Sequence, residues 1–401
     1  MTGPEAAAVA AFVESFGAEP TTLALAPGRV ELLGNHTDYN GGLVLAAAID
    51  RFTAVAGRRV AGRRGRTFAS GFGARDDFDL DDPRAGDPGS WPTYVRGVAW
   101  AVQQSYGPYN EGFEAAIAGD LPLGAGLSSS ASLQAAVGLF LLPGGPGAWD
   151  DEARMALAHA LRRSENEYVG VASGILDQFS VLMGRAGHAL ALDCRSLAHE
   201  RVSLGDPAPA IIVCDTKTSR QLADGMYNRR RAESDRVLSW FQERKGDVKI
   251  GSLRDLTLEK LMDDWHTLNE PGRCRVRHVL TENIRVQRGV DALKSGNIAE
   301  FGRLMSGSHA SSRDDFANSS AALDAMVEAA EDSPGFLGGK LSGAGWAGCT
   351  VNLVEASRAE EFAAAVAEGY ERRTGTAPEV HVCRAADGAT IRPLASGGSI
   401  R

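Results

Sequence analysis

Cysteine is scarce in this chain, and what there is lies scattered. Cys194, Cys214, Cys274, Cys349 and Cys383 are five in number, an odd count. None stands in a CxxC pair or at metal-ligand spacing from a histidine, so neither a disulfide framework nor a zinc site is expected. Long apolar runs are missing too: none approaches the ~20 residues a membrane-crossing helix needs. Positive charge is also short. A formal net charge of −9 argues against an extended nucleic-acid surface. The arginines Arg58, Arg59, Arg63, Arg64 and Arg66 face the acidic run Asp76, Asp77, Asp79, Asp81 and Asp82, and the two read as strands of a solvated hairpin. Met1 to Pro20 is mildly acidic and reads as an amphipathic helix, without the features of a signal peptide. The expectation is a cytoplasmic protein with no nucleic-acid and no membrane partner.

At 401 residues, 44% of them hydrophobic and 23% charged, the chain has the composition of an ordinary globular protein too long for one small core. Strand patterns at Thr22–Ala26, Gly42–Ile49, Thr53–Ala56, Thr67–Phe72 and Phe113–Ala118 alternate with helices at Tyr94–Ser105, Ser129–Leu141, Asp150–Tyr168 and Ile175–Met183. Strands follow at His188–Cys194 and Ala210–Asp215, with Pro207 and Pro209 between them marking the best boundary. Beyond it the helices lengthen, at Asp224–Glu243, Arg275–Ser295, Ile298–Ser306 and Ser320–Glu331. Strands Thr350–Glu355 and Pro378–Arg384 flank a helix at Arg358–Arg373. This predicts an α+β protein of two domains, 1–205 and 206–401, the last strand returning to the first domain. The lone histidines, among them His199, His278 and His309, suggest no role.

Ala26 to Gly42 (APGRVELLGNHTDYNGG) crowds Arg29, Asn35, His36, Asp38 and Tyr39 into one glycine-bracketed segment. Alone, it reads as a polar surface turn. A packed core has no use for such a cluster, whereas a polyhydroxylated ligand supplies a partner for every group. Downstream, Leu121 to Ser132 (LPLGAGLSSSAS) runs straight into a helical pattern. Gly124 and Gly126 allow close backbone approach, and the helix start offers free N–H groups to an anion. This is neither the GxxxxGK[ST] loop nor the dinucleotide fingerprint. A flexible connector is the other reading, and Pro122 with the helical Leu133-Gln134-Ala135-Ala136 speaks against it. A third glycine-rich segment, Gly338 to Cys349, precedes a strand.

These three motifs, in this order, resemble the GHMP kinases, and the first resembles the galactokinase signature. Gly174-Ile175-Leu176-Asp177-Gln178-Phe179, Asp193-Cys194-Arg195-Ser196-Leu197 and Tyr227-Asn228-Arg229-Arg230-Arg231 are similar to further galactokinase segments. The resemblance implies an N-terminal domain like ribosomal protein S5 domain 2, a ferredoxin-like C-terminal domain and an active site between them. It implies ATP-dependent phosphorylation of a monosaccharide at the anomeric C1 hydroxyl, with D-galactose as the sugar. Galacturonate, N-acetylgalactosamine or arabinose, or a sugar sensor without turnover, are the alternatives.

On that pattern Asp177 is the base, with Arg29 beside it. Arg29, Asn35, His36, Asp38, Gly174 and Tyr227 fall on sugar-contacting positions. Gly124, Gly126, Leu127, Ser128, Ser129 and Ser130 bind ATP phosphates, Ser130 and Glu165 hold Mg²⁺, and Trp91 lies near the adenine. Without the resemblance Asp177 reads as a helix-capping residue and Glu165 as part of a solvated helical face, with Glu167 its competitor. The partners implied are the sugar and ATP, on a monomer or weak oligomer. Three positions depart from the family: Asn35 stands in place of a glutamate that meets the sugar's 6-hydroxyl, Ala46 in place of a proline, and Trp346-Ala347 in place of Phe and Gly. The neutral Asn35 implies relaxed selectivity at carbon 6, tightened again by Asn35→Glu.

Overall fold

The strand that carries the first motif is interrupted in parity, and that interruption builds the site. In a computed structural model, β1 (Thr22–Leu33) pairs antiparallel with β2 (Leu43–Val60) over almost its whole length. Ala24 and Ala26 point to a helix-covered core, yet Val30 and Leu32 lie in a different one on the opposite face. The register shift between Pro27 and Gly28 causes the switch. As a result Arg29 and Glu31, two residues apart, share the face that looks toward the helices. The structure describes all residues except 2, 85, 88, 123, 125, 143–148, 172, 219–224, 246–249 and 396–401, and the side chains of 244 and 245. Leu123 and Ala125 of the glycine-rich Leu121–Ser132 segment therefore lie outside the described residues.

The first sheet also holds β3 (Arg64–Ala69), β4 (Ala74–Asp79), β5 (Gly112–Gly119), β6 (His188–Asp193), β7 (His199–Ser203) and β12 (Thr390–Pro393). Its order is β12-β1-β2-β5-β3-β4, with β6 and β7 branching from β2. The hairpin expected for the arginine and aspartate runs is β3–β4, where Arg64 pairs with Asp77. The strands expected at Gly42–Ile49 and Thr53–Ala56 are the single β2. Strand β7 has no counterpart in the sequence pattern, and the final β12, given no range from the sequence, pairs with β1 in the first sheet.

Behind this sheet pack α2 (Trp91–Tyr106), α3 (Ser129–Leu141), α4 (Asp151–Arg163) and α5 (Leu176–Met183), with Val98, Leu139, Leu157 and Phe179 fully or nearly fully buried between them. On the outer side of the sheet, α1 (Gly3–Phe16) inserts Phe12 against Ala54 and Ala116.

A second, antiparallel sheet runs β11-β8-β10-β9, from β8 (Ala210–Asp215), β9 (Phe336–Leu341), β10 (Cys349–Val354) and β11 (Glu379–Cys383). Between the sheets lie α8 (Glu270–Lys294) and α9 (Ile298–Ser311), whose Val286, Phe301 and Met305 join Val30 and Leu32 of β1 and Val213 and Val351 of the second sheet in one core. That shared apolar core fixes the two halves against each other. The outer face of the second sheet is covered by α10 (Ala321–Glu331) and α11 (Ala359–Thr374). The remaining helices, α6 (Met226–Lys245) and α7 (Leu258–Asp263), pack on the start of α8.

Candidate active site

A cavity of about 540 Å³ opens between the halves. All three glycine-rich motifs reach it. Of the sequence-derived site residues, Leu127 and Trp91 do not line it: the Leu127 side chain is 1% exposed in the inter-sheet core, and its carbonyl accepts the Arg29 N–H at 3.1 Å.

At the floor, Asp177 in the first turn of α5 meets Arg29 of β1. Arg29 Nε donates to Oδ1 at 2.7 Å and Nη2 stands 2.5 Å from the same oxygen. Arg29 Nη1 donates to the Gly126 carbonyl at 2.7 Å, tying the glycine loop to the same guanidinium. The second oxygen, Oδ2, accepts the Ser128 hydroxyl at 2.5 Å. Ser128 takes up a left-handed backbone conformation (φ 56°) immediately before α3, and this turns the N-terminus of α3 toward the cavity. The N–H groups in the first turn of that helix have no intrahelical acceptors, which makes the helix end a site for anionic oxygens.

Beside it, α4 ends in a single π turn, Ser164–Val169, of the kind that re-aims side chains. It turns Glu165 inward to the cavity, whereas Glu167 is exposed. Glu165 Oε2 accepts Ser173 Oγ at 2.6 Å and Gln178 Nε2 at 2.7 Å. Burial pushes this carboxyl above its ordinary value; Ser173 opposes the shift and Asp177 adds to it. A carboxylate disfavoured by burial, with the Ser130 hydroxyl on the same cavity wall, is a hard-oxygen pair suited to Mg²⁺ shared with phosphates. Among the described residues no group of three or more His, Cys, Asp or Glu forms an all-protein metal cage. Trp91 is not among the cavity residues; it stacks on Phe72 at 6.5 Å, and Tyr94, one turn on, takes its place in the lining.

The opposite wall comes from the loop after β1. Asp38 faces the cavity, and burial pushes its carboxyl up to about 6, with Glu31 and Asp177 adding to the shift and the Tyr39 N–H and Arg29 opposing it. Gly174 packs against this carboxylate so closely that a Cβ would overlap it. His36 is buried and held well below its ordinary value, to about 3, chiefly by desolvation. Both its ring nitrogens are engaged, with the Tyr39 hydroxyl and the Ala344 carbonyl at 3.0 Å each. Accepting from Tyr39 and donating to Ala344 satisfies the neutral ring. Tyr227, at the start of α6, packs on His36 and Tyr39 at ring distances of 5.4 and 5.6 Å.

The residues that sequence reasoning missed hold this wall from behind. Glu282 on α8 is fully buried and accepts the Gly34 N–H at 2.9 Å, the Asn35 N–H at 3.3 Å and Ser308 Oγ at 2.5 Å. Burial opposes its charge, but His278, Arg285 and Lys340 outweigh it and hold the carboxyl below its ordinary value. His278, given no role from the sequence, shares a 2.8 Å hydrogen bond with the Asn35 carbonyl. Their signal was a polar pair on the apolar face of α8, where Val279, Val286 and Val290 are buried. Asn35 also differs from expectation. Its amide is enclosed by protein, donating to Glu31 Oε1 at 3.1 Å and the Gly343 carbonyl at 2.9 Å, and accepting from Ser312 at 3.2 Å and Asn318 at 2.9 Å.

Three family models match in chain order: the galactokinase galactose-binding signature over residues 10–59, the GHMP kinases N terminal domain over 93–185 and the GHMP kinases C terminal over 290–372. A galactokinase of Roseiflexus sp. (strain RS-1) is 42% identical over 378 residues, covering 94% of each chain. The chain belongs to the galactokinases. The Homo sapiens galactokinase is 38% identical over 388 residues, or 95% of each chain. The crystal structure of Lactococcus lactis galactokinase complexed with galactose superimposes with a TM-score of 0.87 at 34% identity, covering 95% of this chain and 98% of that one. A Methanococcus jannaschii mevalonate kinase shares the fold, with a TM-score of 0.61 at 17% identity. The α+β two-domain GHMP fold is thus common to all three, and this galactokinase family member is a sugar kinase.

Proposed function

We propose that this galactokinase family member transfers the γ-phosphoryl group of ATP to the C1 hydroxyl of D-galactose, giving α-D-galactose 1-phosphate. The observation that carries the reading is the Asp177 carboxylate, fixed by Arg29 and Ser128 where an anion-binding helix end meets a wall of hydroxyl acceptors. Phosphoryl transfer passes through a loose transition state, so alignment and charge neutralisation matter more than a strong base. Asp177 accepts the hydrogen bond of the C1 hydroxyl, aims its oxygen at the γ-phosphorus and takes the proton late. Arg29 offers positive charge beside the transferred group. The N-terminus of α3, with Ser128, Ser129 and Ser130 and the loop glycines Gly124 and Gly126, cradles the phosphates. Asp38 and Tyr227 grip ring hydroxyls, with Gly174 packing against Asp38 and His36 against Tyr227. Ser130 and Glu165 hold Mg²⁺, which when bound neutralises phosphate charge.

Retention of Arg29, Ser130, Glu165 and Asp177 together favours a working kinase over a sensor, which has no need of the base. No helix among the described residues is long and apolar enough to cross a membrane. A coupled ADP-release assay across free sugars tests the proposal. Galactose-dependent turnover well above the other sugars is expected; ADP release with none of them, or with galacturonate or arabinose in preference, overturns it.

A further inference from the structure

On the cavity wall farthest along β1 from the glycine loop sits a carboxylate that no motif singled out. Glu31 follows Arg29 by two residues on the same face of the strand, about 6.6 Å further along at the strand rise. Its side chain lines the cavity. Oε1 is fixed from behind: Lys340 Nζ on β9 donates to it at 2.9 Å and Asn35 Nδ2 at 3.1 Å. Lys340 is fully buried, so the pair is a built ionic contact across the two sheets. Oε2 has no partner among the described residues, and it is absent from the polar atoms sealed from solvent without one. The free oxygen therefore faces the open cavity. Asn35, by contrast, has both amide hydrogens and both carbonyl lone pairs engaged by protein.

We infer that Glu31, and not Asn35, is the side chain that selects the sugar at the end of the ring remote from C1. Arg29 and Asp177 hold the reacting hydroxyl at one end of the cavity, and Glu31 stands one strand step beyond them. An ionised carboxylate is an acceptor only, so the group it reads is a hydroxyl donor. The class selected is a neutral hexose with a free 6-hydroxyl. A 6-carboxylate is repelled, and a 6-deoxy sugar leaves the carboxylate desolvated without a donor. Lys340 and Asn35 are positioning residues, acting through the Glu31 oxygen they hold. This inference rests on the proposed function, because it takes the cavity to hold a sugar with C1 at Asp177.

The test is initial-rate kinetics of the wild type and Glu31→Gln on D-galactose, 6-deoxy-D-galactose and D-galacturonate. In the wild type, kcat/KM for galactose is expected to exceed that for the 6-deoxy sugar by tenfold or more, as loss of a hydrogen bond to a charged group predicts (roughly 10- to 100-fold). In Glu31→Gln, KM for galactose rises by a similar factor with kcat held within about threefold, while KM for the 6-deoxy sugar stays within about twofold, since that sugar never made the bond. Should Glu31→Gln fail to fold because Lys340 loses its counter-charge, Glu31→Gln combined with Lys340→Gln carries the same comparison. A parallel loss on both sugars, or an unchanged galactose KM, overturns the assignment. A wild-type protein that releases no ADP with galactose overturns the proposed function instead, and this inference falls with it.

Discussion

Arg29 grips Asp177 through two nitrogens, Nε at 2.7 Å and Nη2 at 2.5 Å, joining a strand near the start of the chain to a helix 148 residues later. With Ser128 on the other carboxylate oxygen, Asp177 is held on both sides before any substrate arrives. Preorganisation of this kind leaves little reorganisation for the transition state to drive. It also separates two roles that mutation can distinguish: keeping the shape of the site and accepting a proton.

Asp177→Asn keeps the shape and removes both the charge and the proton acceptor. Sugar phosphorylation should fall by ~10²–10⁴-fold, the usual contribution of a positioned base. ATP binding, measured by calorimetry, should persist, because the helix end that receives the phosphates does not include this side chain. A variant that keeps a third of the wild-type kcat would show that Asp177 does not act as the base.

Glu165 and Glu167 lie two residues apart and face opposite ways, one lining the cavity and one exposed. Glu165→Gln and Ser130→Ala should each raise the Mg²⁺ concentration needed for half-maximal rate, since both remove an oxygen ligand or its charge from a hard cation. Glu167→Gln should overlay the wild type in the same titration. The reverse pattern assigns the metal to Glu167.

Local structure was readable where periodicity and local chemistry agree. Helix α3 spans Ser129–Leu141, as its pattern indicates, and β8 spans Ala210–Asp215. What stayed hidden depends on partners distant in sequence. Nothing in the pattern around β1 announces the register shift that turns Arg29 and Glu31 to one face. Likewise Lys340 lies within a glycine-rich segment that reads as a turn, and only the pairing of β9 with β10 reveals it as a strand delivering a buried ammonium to Glu31. The first motif announced its polar cluster but not which members face a ligand. Asn35 reads as a binding group, and its amide, though on the cavity wall, is held by four protein hydrogen bonds, whereas His278 reads as structural and bonds the Asn35 carbonyl in the first motif's loop.

The Asp38 carboxyl, pushed up to about 6, faces the cavity and binds hydroxyls best as an acceptor. Activity should therefore fall as pH drops through about 6, seen as an acid limb in log kcat/KM for galactose. Asp38→Asn should lower kcat/KM overall and remove that limb. A limb that persists unchanged in the variant belongs to another group.

Stability should respond to acid in the direction set by the buried histidines. His36 titrates at about 3 and His309 at about 4 when folded, against 6.5 unfolded, and burial lowers His278 as well. Between those values the unfolded chain binds more protons, so stability rises with pH. Glu282, held below its ordinary 4.5, works in the same direction, its contribution being lost as pH falls. Asp38 opposes them: its folded value of about 6 exceeds 3.8, so its share of stability declines as pH rises between the two. Three histidines and Glu282, with His159 and His381 lowered as well, outweigh Asp38 and Glu165, whose carboxyl burial also raises, and give a Tm that climbs from about pH 4 to about pH 6.5. A flat or falling Tm over that range, by differential scanning calorimetry, contradicts the neutral buried state of these rings.

Asn35→Glu is where the expectation from sequence and the structure diverge. Asparagine donates to both Glu31 Oε1 and the Gly343 carbonyl, and a carboxylate has no proton to give either of them. The substitution would also set a second negative charge against Glu31 in a site where Asn35 is 1% exposed. Ser312 and Asn318 could still donate to the new side chain, but the Gly343 carbonyl would lose the Asn35 donor, at about 1–3 kcal/mol, and Glu31 Oε1 would keep only Lys340. Galactose KM should therefore rise by roughly tenfold or more, with a lower Tm, because Glu31 loses one of the donors that aim it. The 6-deoxy sugar should lose less, since it never relied on the free Glu31 oxygen. Kinetics on the two sugars decide the matter: a lower galactose KM in Asn35→Glu would return the recognition of the 6-hydroxyl to position 35 and remove Glu31 from that role.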